Sequence, residues 1–471
     1  MYGTNPNENE QDFSDILISK RNTQEYLRQN GLKKNLSMGH LWGISVGAVI
    51  SGQFIGWNNG LNFVSPLGLL CITVAVSIFY ILLISVLTKL TVALPYAGGS
   101  YAYTRKAYGK LAGFLAGYTT MVEYLCITAV IFVYMNLYID RMLSLIWPNL
   151  VSMLIFGVLI VLQMTGINRS SFFQLLITCL CVSIFLLFFM GINSVEASKM
   201  PIDISLMNGL PGLFLAIPYV LWFFVGIDVV MLTAEEIKTP GKSVPISFYG
   251  GLFTIILLSF GVIFFSVSSV YWPSLRTTDY PLIFILQKLQ GGDAVLLAVF
   301  SFFSISSFIA SINGMMIGYS RQAFSLARAG YFPKFMDRIQ NKTKAPFMAL
   351  IAPSILVLIV AEIGNASLLI QIVCVCAIIS YSFSLLAYVR IIRMEKTSFV
   401  KIIPAFIALV ACAIFLIGFS IFQTVSALIT AGILIFGILY YFVFAKGRIN
   451  RDAPEEVEAN IGDINIIMTN I

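Results

Sequence analysis

Apolar stretches parted by short polar breaks run through almost the whole chain. Within them the apolar residues follow the helical period, and no segment alternates as a barrel strand would. A membrane-spanning helix needs about 20 predominantly apolar residues. By that measure twelve stretches stand out, near 41–64, 67–90, 111–139, 149–166, 172–193, 213–233, 247–271, 293–319, 346–361, 367–389, 402–421 and 424–445. The pattern predicts an all-α polytopic membrane protein with 12 transmembrane helices. Residues 1–38 are polar and hold no apolar core of signal-peptide length. The stretch after Lys446 is polar as well and is expected to be a flexible tail.

Composition sharpens the picture. Of 471 residues, 58% are hydrophobic and 11% charged, and the mean hydropathy is +0.90. A soluble chain is about 45–50% apolar and about 25% charged, because its surface must face water. A soluble enzyme is therefore excluded. So is a nucleic-acid partner, despite a net charge of +7 and a pI near 8.9, since no water-exposed domain remains to carry a basic face. The charge reports topology instead. With the N-terminus inside, the cytoplasmic segments hold every Lys and Arg except Arg141, Lys199, Arg276 and Lys288. Basic residues gather on the cytoplasmic side of membrane proteins, so both termini are expected there, in a multi-pass protein of the plasma (bacterial inner) membrane.

The seven cysteines (Cys71, Cys126, Cys179, Cys181, Cys374, Cys376 and Cys412) all fall within predicted spans. Those two apart point from different helix faces, so small buried hydrophobes are expected rather than a disulfide or a metal site. His40, the only histidine, begins the first span and reads as an interfacial cap. One histidine is too few for membrane-embedded acyltransferases and metalloproteases. No nucleophile-and-base set is present either. The chain is expected to be no enzyme and to need no cofactor.

Two spans look built to break. The first contains Gly43, Gly47, Ser51-Gly52-Gln53-Phe54-Ile55-Gly56 and Trp57-Asn58-Asn59-Gly60; the sixth contains Pro218, Trp222-Phe223-Phe224-Val225-Gly226 and Asp228. Small residues also let transmembrane helices pack closely, which explains either segment alone. Their matching placement, each opening a five-helix half, is the sign of an inverted-repeat transporter with its site near the midplane. The halves are expected at 39–195 and 196–395, followed by two C-terminal helices within 396–446 and a tail over 447–471.

Of the 22 acidic residues, only Glu123 and Asp228 sit deep within predicted spans. A mid-membrane carboxylate costs on the order of 2.5–3.5 kcal/mol and usually faces the protein interior or a watery cavity. Both are candidates to carry a proton or to meet a substrate ammonium. A hydrogen bond between helices is the plainer reading, and it weighs more for Glu123 than for Asp228, two residues beyond Gly226. Glu235, Glu236 and Glu362 fall at helix ends, where a solvated carboxylate is inexpensive. Phe54, Trp57, Trp222 and Phe224 neighbour the breaks, where an aromatic could cover a ligand. Asn58, Asn59 and Asn313 suit a cavity lining or interhelical hydrogen bonds equally.

The segment Leu94-Pro95-Tyr96-Ala97-Gly98-Gly99-Ser100-Tyr101-Ala102-Tyr103, followed by Gly109 and Gly113-Phe114-Leu115-Ala116-Gly117, resembles the second-to-third-helix signature of the amino acid–polyamine–organocation (APC) superfamily. Phe223 to Asp228, then Glu235-Glu236 and Pro240 to Pro245, resembles its sixth helix and following loop. Ser320-Arg321-Gln322-Ala323-Phe324-Ser325-Leu326-Ala327-Arg328-Ala329-Gly330-Tyr331-Phe332-Pro333 resembles its eighth-helix end. The similarity spans residues 37–445. Leu41-Trp42-Gly43, Ile50 to Asn58, Glu123-Tyr124 and Tyr319 to Gln322 look most like the ethanolamine-permease-like branch. The resemblance implies a five-plus-five inverted-repeat (LeuT-like) core plus two helices, working by alternating access. It places substrate against Ser51, Gly52, Gln53, Phe54 and Gly56 on one side, and Trp222, Phe224, Val225 and Gly226 on the other. Members of that branch tend to carry a carboxylate where Gln53 stands, which weakens ethanolamine as the substrate and leaves Asp228 and Glu123 as the anions. Some proton-coupled relatives place a Lys in the fifth helix; Phe172–Met190 has no Lys, Asp, Glu or His.

These features lead to a secondary active transporter of a small amino acid or amine, proton-coupled through Asp228 or Glu123, or else an obligate exchanger or ethanolamine permease. A channel fits poorly with two broken helices, and the short polar tails leave no room for a receptor's signalling domain.

Overall fold

The computed structural model describes residues 31–143, 147–193, 208–289, 294–394, 399–450 and 453–460. Each stretch read as a span carries helix. The first is α1 (Met38–Val49), continued after an interruption by a 3-10 segment, Trp57–Asn62. Then come α2 (Pro66–Ala93), a short α3 (Ser100–Tyr108), α4 (Lys110–Leu143), α5 (Pro148–Met164) and α6 (Ile167–Asn193). The chain continues with α7 (Gly209–Leu221), a four-residue α8 (Val229–Leu232), α9 (Pro240–Ser269), α10 (Pro281–Leu289) and α11 (Ala294–Arg328). Last are α12 (Phe347–Ile363), α13 (Ala366–Met394), α14 (Ile403–Phe422), α15 (Thr424–Tyr440) and α16 (Pro454–Asn460). Among the described residues, eight helices are long and apolar enough to cross a membrane. Three shorter apolar helices, α5, α7 and α12, accompany them.

Local chemistry sets the helix starts. Pro66, Pro148 and Pro240 each stand in a first helical turn, where the missing N–H costs nothing. The Ser65 hydroxyl caps α2 by accepting the Gly68 N–H at 3.3 Å. Burial then sorts the helices. The most apolar stretches of α4 and α11 are each 78% buried, against 17% for α15. α4 and α11 form the middle of the bundle with α1, α7 and α13, while α14 and α15 turn residues such as Phe406, Ile417, Leu428 and Phe436 outward. An outward apolar face is the expected contact with lipid. The cysteines follow this division only in part. Five are buried, but Cys71 and Cys179 are exposed on the outer faces of α2 and α6, so small buried hydrophobe fits the other five alone.

Both flanking segments meet the bundle, and the one after Lys446 departs from the flexible tail expected of it. Residues 31–37 pack against the bundle: Leu32 and Leu36 are buried, and the Asn35 and Leu36 N–H groups both donate to the Glu236 carbonyl at 2.9 Å. Beyond Lys446 the chain also docks rather than standing free. Asn450 N–H donates to the Ala329 carbonyl at 2.9 Å, and α16 lays Glu455 and Glu456 into the bundle. The physical reason is charge: each carboxylate there meets a buried arginine.

Close helix contact depends on glycine at the centre. A Cβ on Gly314 of α11 would stand 2.8 Å from both Cα and Cβ of Ala48 in α1. Backbone does not yield as a side chain does, so Gly314→Val should force α1 and α11 apart, costing about 1–3 kcal/mol. The expected outcome is a clearly lowered Tm in detergent. An unchanged Tm would mean that the two helices do not pack this closely.

Candidate functional site

The first interruption lies at Ile50–Gln53. Val49 ends the α-helical run, a 3-10 turn follows, and Gly56 takes φ +86°, a left-handed value that glycine adopts without strain. The released backbone groups do not go unsatisfied. Ser311 of α11 inserts its hydroxyl, accepting the Ser51 N–H at 3.1 Å and donating to the Gly47 carbonyl at 2.9 Å. One side chain thus bridges both edges of the break, as a bilayer interior requires.

The second interruption joins α7 to α8. Pro218 sits inside α7, and beyond Leu221 the bonding shortens to three-residue steps: Phe223 N–H to Val220, Phe224 to Leu221, Ile227 to Phe224 and Val229 to Gly226. Gly226 takes φ +98°, and a Cβ there would strike the Met315 methyl. The Ser45 hydroxyl of α1 donates to the Ile227 carbonyl at 3.3 Å, tying one broken helix to the other. The two breaks touch. A Cβ on Gly52 would lie 2.9 Å from the Trp222 carbonyl oxygen, and one on Gly56 3.1 Å from the Trp222 indole.

Aromatic rings close the junction. Tyr80 stacks on Phe224 with centroids 5.0 Å apart and meets Tyr381 edge-on at 6.0 Å. Trp57 stacks on Phe223, and Phe54 packs between Phe185 and Phe300. Ser51, Gly52, Gln53, Phe54, Gly56, Trp222, Phe224, Val225, Gly226, Asp228 and Glu123 are all buried.

Several polar atoms in this buried interior have no partner of ordinary geometry among the described residues. Tyr381 donates its hydroxyl to Asp228 Oδ1 at 3.0 Å, and Tyr124 interacts with the same carboxyl group, but Oδ2 accepts no bond of ordinary hydrogen-bond geometry among the described residues. Both Glu123 carboxyl oxygens, Gln53 Oε1 and the Trp222 indole N–H are also unpartnered. Gln53 Nε2 donates to Ser259 at 3.3 Å. Glu123 and Asp228 interact electrostatically. Buried polar atoms without partners are rare in folded proteins; others lie elsewhere in the molecule, at Gln322, Gln423 and Thr104 among them, but those of Gln53, Trp222 and Asp228 belong to the two broken segments. The asparagines divide otherwise. Asn313 joins Gln163, Ser170 and Gln174 in an interhelical network, and Asn58 donates to the Leu275 and Thr278 carbonyls at 2.8 Å, so both hold helices and loops together.

The face rich in Lys and Arg is sealed by ion pairs. Arg328 bonds Glu235 at 2.9 Å and also Glu455, Arg321 bonds Glu236 at 3.0 Å, and Arg105 grips Glu456 at 2.7 Å. Glu235 and Glu236 are buried, not solvated as their helix-end positions suggest; Glu362 alone of the three is exposed. Burial pushes the Glu235 carboxyl up, but the Arg328 guanidinium and the Leu32 N–H more than offset it, leaving it below its ordinary value.

A family model for amino acid permeases matches residues 36–444. The chain belongs to the amino acid permease family. An uncharacterised transporter of Rhizobium meliloti is 24% identical to this permease over 332 residues, 68% of this chain and 70% of that protein. The aromatic amino acid transport protein of Escherichia coli O157:H7 is 24% identical over 324 residues, 66% of this chain and 70% of that protein. The branched-chain amino acid permease of Bacillus subtilis is 22% identical over 347 residues, 68% of this chain and 73% of that protein. The permease is thus a multi-pass membrane protein of the APC superfamily.

Sequence reasoning did not single out Ser311, Tyr381 or Tyr80, which lie far from the breaks along the chain and look like ordinary span residues. Arg105 entered only as a marker of orientation, and Arg321 and Arg328 only as that and as members of the eighth-helix motif. Gly226→Ala should strain the left-handed turn and crowd Met315, so uptake should fall at least tenfold while the protein still folds; normal uptake would count against a rigid break. Arg328→Gln should strand Glu235 and Glu455 without a cation, costing about 3–5 kcal/mol. Its Tm should drop well below that of the parent, and a Tm within a degree would show the pairs to be solvated.

Proposed function

We propose that this permease is a secondary active transporter carrying a small amino acid or amine across the plasma membrane by alternating access, coupled to protons. The observation that carries the reading is Asp228: Tyr381 holds one oxygen, Tyr124 stands beside the carboxyl group, the second oxygen accepts no bond of ordinary geometry among the described residues, and the residue adjoins the Gly226 turn. A lone carboxylate oxygen in a low-dielectric interior attracts a substrate ammonium or a proton. Gln53 Oε1 would accept from the same ammonium, and the Trp222 indole N–H would donate to a substrate carboxylate. Phe54, Phe224 and Val225 supply apolar cover, while Gly52 and Gly56 let the first break lie directly against Trp222 of the second. Two relatives are named for transport of aromatic and branched-chain amino acids, which supports an amino acid over ethanolamine.

In this reading Asp228 or Glu123 carries the proton, residues 39–195 and 196–395 form the two repeats, and both termini lie in the cytoplasm with helices 396–446 outside the core. Obligate exchange is the second reading, favoured by the lack of any Lys, Asp, Glu or His across Phe172–Met190 of α6.

Proteoliposomes loaded with or without internal substrate separate the two. With labelled leucine, phenylalanine, alanine and ethanolamine as the panel, an acid-outside gradient should speed uptake of at least one into empty vesicles. Asp228→Asn should cut that uptake at least tenfold and remove its response to the gradient. Uptake that needs internal substrate would establish exchange, and unchanged transport by Asp228→Asn would remove the role given to Asp228.

A further inference from the structure

A cavity of about 620 Å³ opens on the basic face, and its lining includes no residue of either helix break. Its walls come from three segments: Lys33 and Asn35 before α1, the α5–α6 turn with Arg169, and residues 340–343 with Lys342. Lys33, Arg169 and Lys342 are exposed, make no ion pair among the described residues, and share the lining with no carboxylate. This contrasts with Arg105, Arg321 and Arg328 on the same face, each matched to a glutamate.

One side of the cavity is apolar. Val161, Met164 and Ile167 line it, and Val161 continues an outward strip on α5 through Val158 and Leu154, all more than 60% exposed. Phe172 and Leu176 extend the exposed apolar surface down α6. A cationic recess at the end of lipid-facing helices matches an amphiphile with a phosphate head and apolar tails. A free phosphate would use the cations and leave the apolar wall idle. Basic pockets between helices at this level are known to suit anionic lipid head groups as a class.

We propose that this cavity binds the head group of an anionic phospholipid, with Lys33, Arg169 and Lys342 on the phosphate and the acyl chains along α5 and α6. The lining also joins separate parts of the molecule. Asn35 is tied through its N–H to the Glu236 carbonyl, just beyond the broken α7–α8 helix. A would-be Cβ on Gly166 of the α5–α6 turn, where φ is +100°, stands 3.3 Å from Thr343. A head group in the recess would therefore link the segment following the broken helix to the α5–α6 turn. The proposal is independent of which substrate is carried and of how transport is coupled.

The test uses the full-length permease, delipidated in detergent and supplied with phosphatidylglycerol or phosphatidylcholine of the same acyl chains, or with inorganic phosphate. Native mass spectrometry reads retained lipid, and thermal unfolding reads stabilisation. Each basic group near the membrane surface contributes roughly fivefold to anionic-lipid affinity. The triple variant Lys33→Gln/Arg169→Gln/Lys342→Gln should thus bind phosphatidylglycerol roughly a hundredfold more weakly and lose the Tm gain, with its Tm in phosphatidylcholine unchanged. A control with the same charge loss elsewhere on this face, Lys238→Gln/Lys242→Gln/Lys334→Gln, should retain both. The proposal is overturned if the parent shows no preference for phosphatidylglycerol. It is equally overturned if the two triple variants lose binding alike, or if inorganic phosphate alone gives the full Tm gain.

Discussion

A helix interrupted within a bilayer must find new partners for the backbone groups it releases, because lipid offers none. The arrangement around α1 and α7 follows from that requirement. Ser311 answers it for the first break by accepting from Ser51 and donating to Gly47. Ser45 answers part of it for the second by donating to Ile227. These bonds draw α1, α11 and the α7–α8 segment together, and the approach is close enough that glycine is required at Gly52, Gly226 and Gly314.

Charge inside the molecule obeys a second division. On the basic face, buried carboxylates and guanidinium groups are matched, with Glu235, Glu236, Glu455 and Glu456 all on arginines. Removing one partner from such a set costs far more than the set contributes net, since a buried charge is left alone. These pairs join α3, α11, the end of the broken α7–α8 helix and α16, so they seal one side of the bundle. At the breaks the rule is reversed. Glu123 and Asp228 face no cation among the described residues, and three of their four oxygens accept no bond of ordinary geometry. The two regions differ in kind: one is held by matched charges, and the other leaves carboxylate oxygens without a partner of ordinary geometry among the described residues.

Much of this was legible along the chain. Span positions came from apolar length alone, and the two breaks from Gly, Ser and Pro at mid-span, because backbone geometry is a local property. Asp228 and Glu123 were legible because charge within a span is rare. What stayed hidden depends on three-dimensional partners. Ser311 and Tyr381 are unremarkable within their helices and matter only through what α11 and α13 bring them against. Glu235 and Glu236 sit where a solvated carboxylate is ordinary, and nothing nearby in sequence announces Arg328 or Arg321. The docking of residues 453–460 was hidden for the same reason. The segment is polar, and polarity reads as a loose tail unless the buried arginines that receive it are known.

In the proposed transport cycle the two breaks form one ligand-responsive interior. Its most direct measurement is a single-cysteine scan, in a background lacking the seven native cysteines, across residues 48–58 and 220–230, with a membrane-impermeant maleimide applied to vesicles of either orientation. Reactivity should peak at Ser51→Cys and Val225→Cys and fall when a transported amino acid is added, while Leu125→Cys on α4 stays unreactive. Uniform silence across both windows, or labelling that ignores the amino acid, would contradict the account.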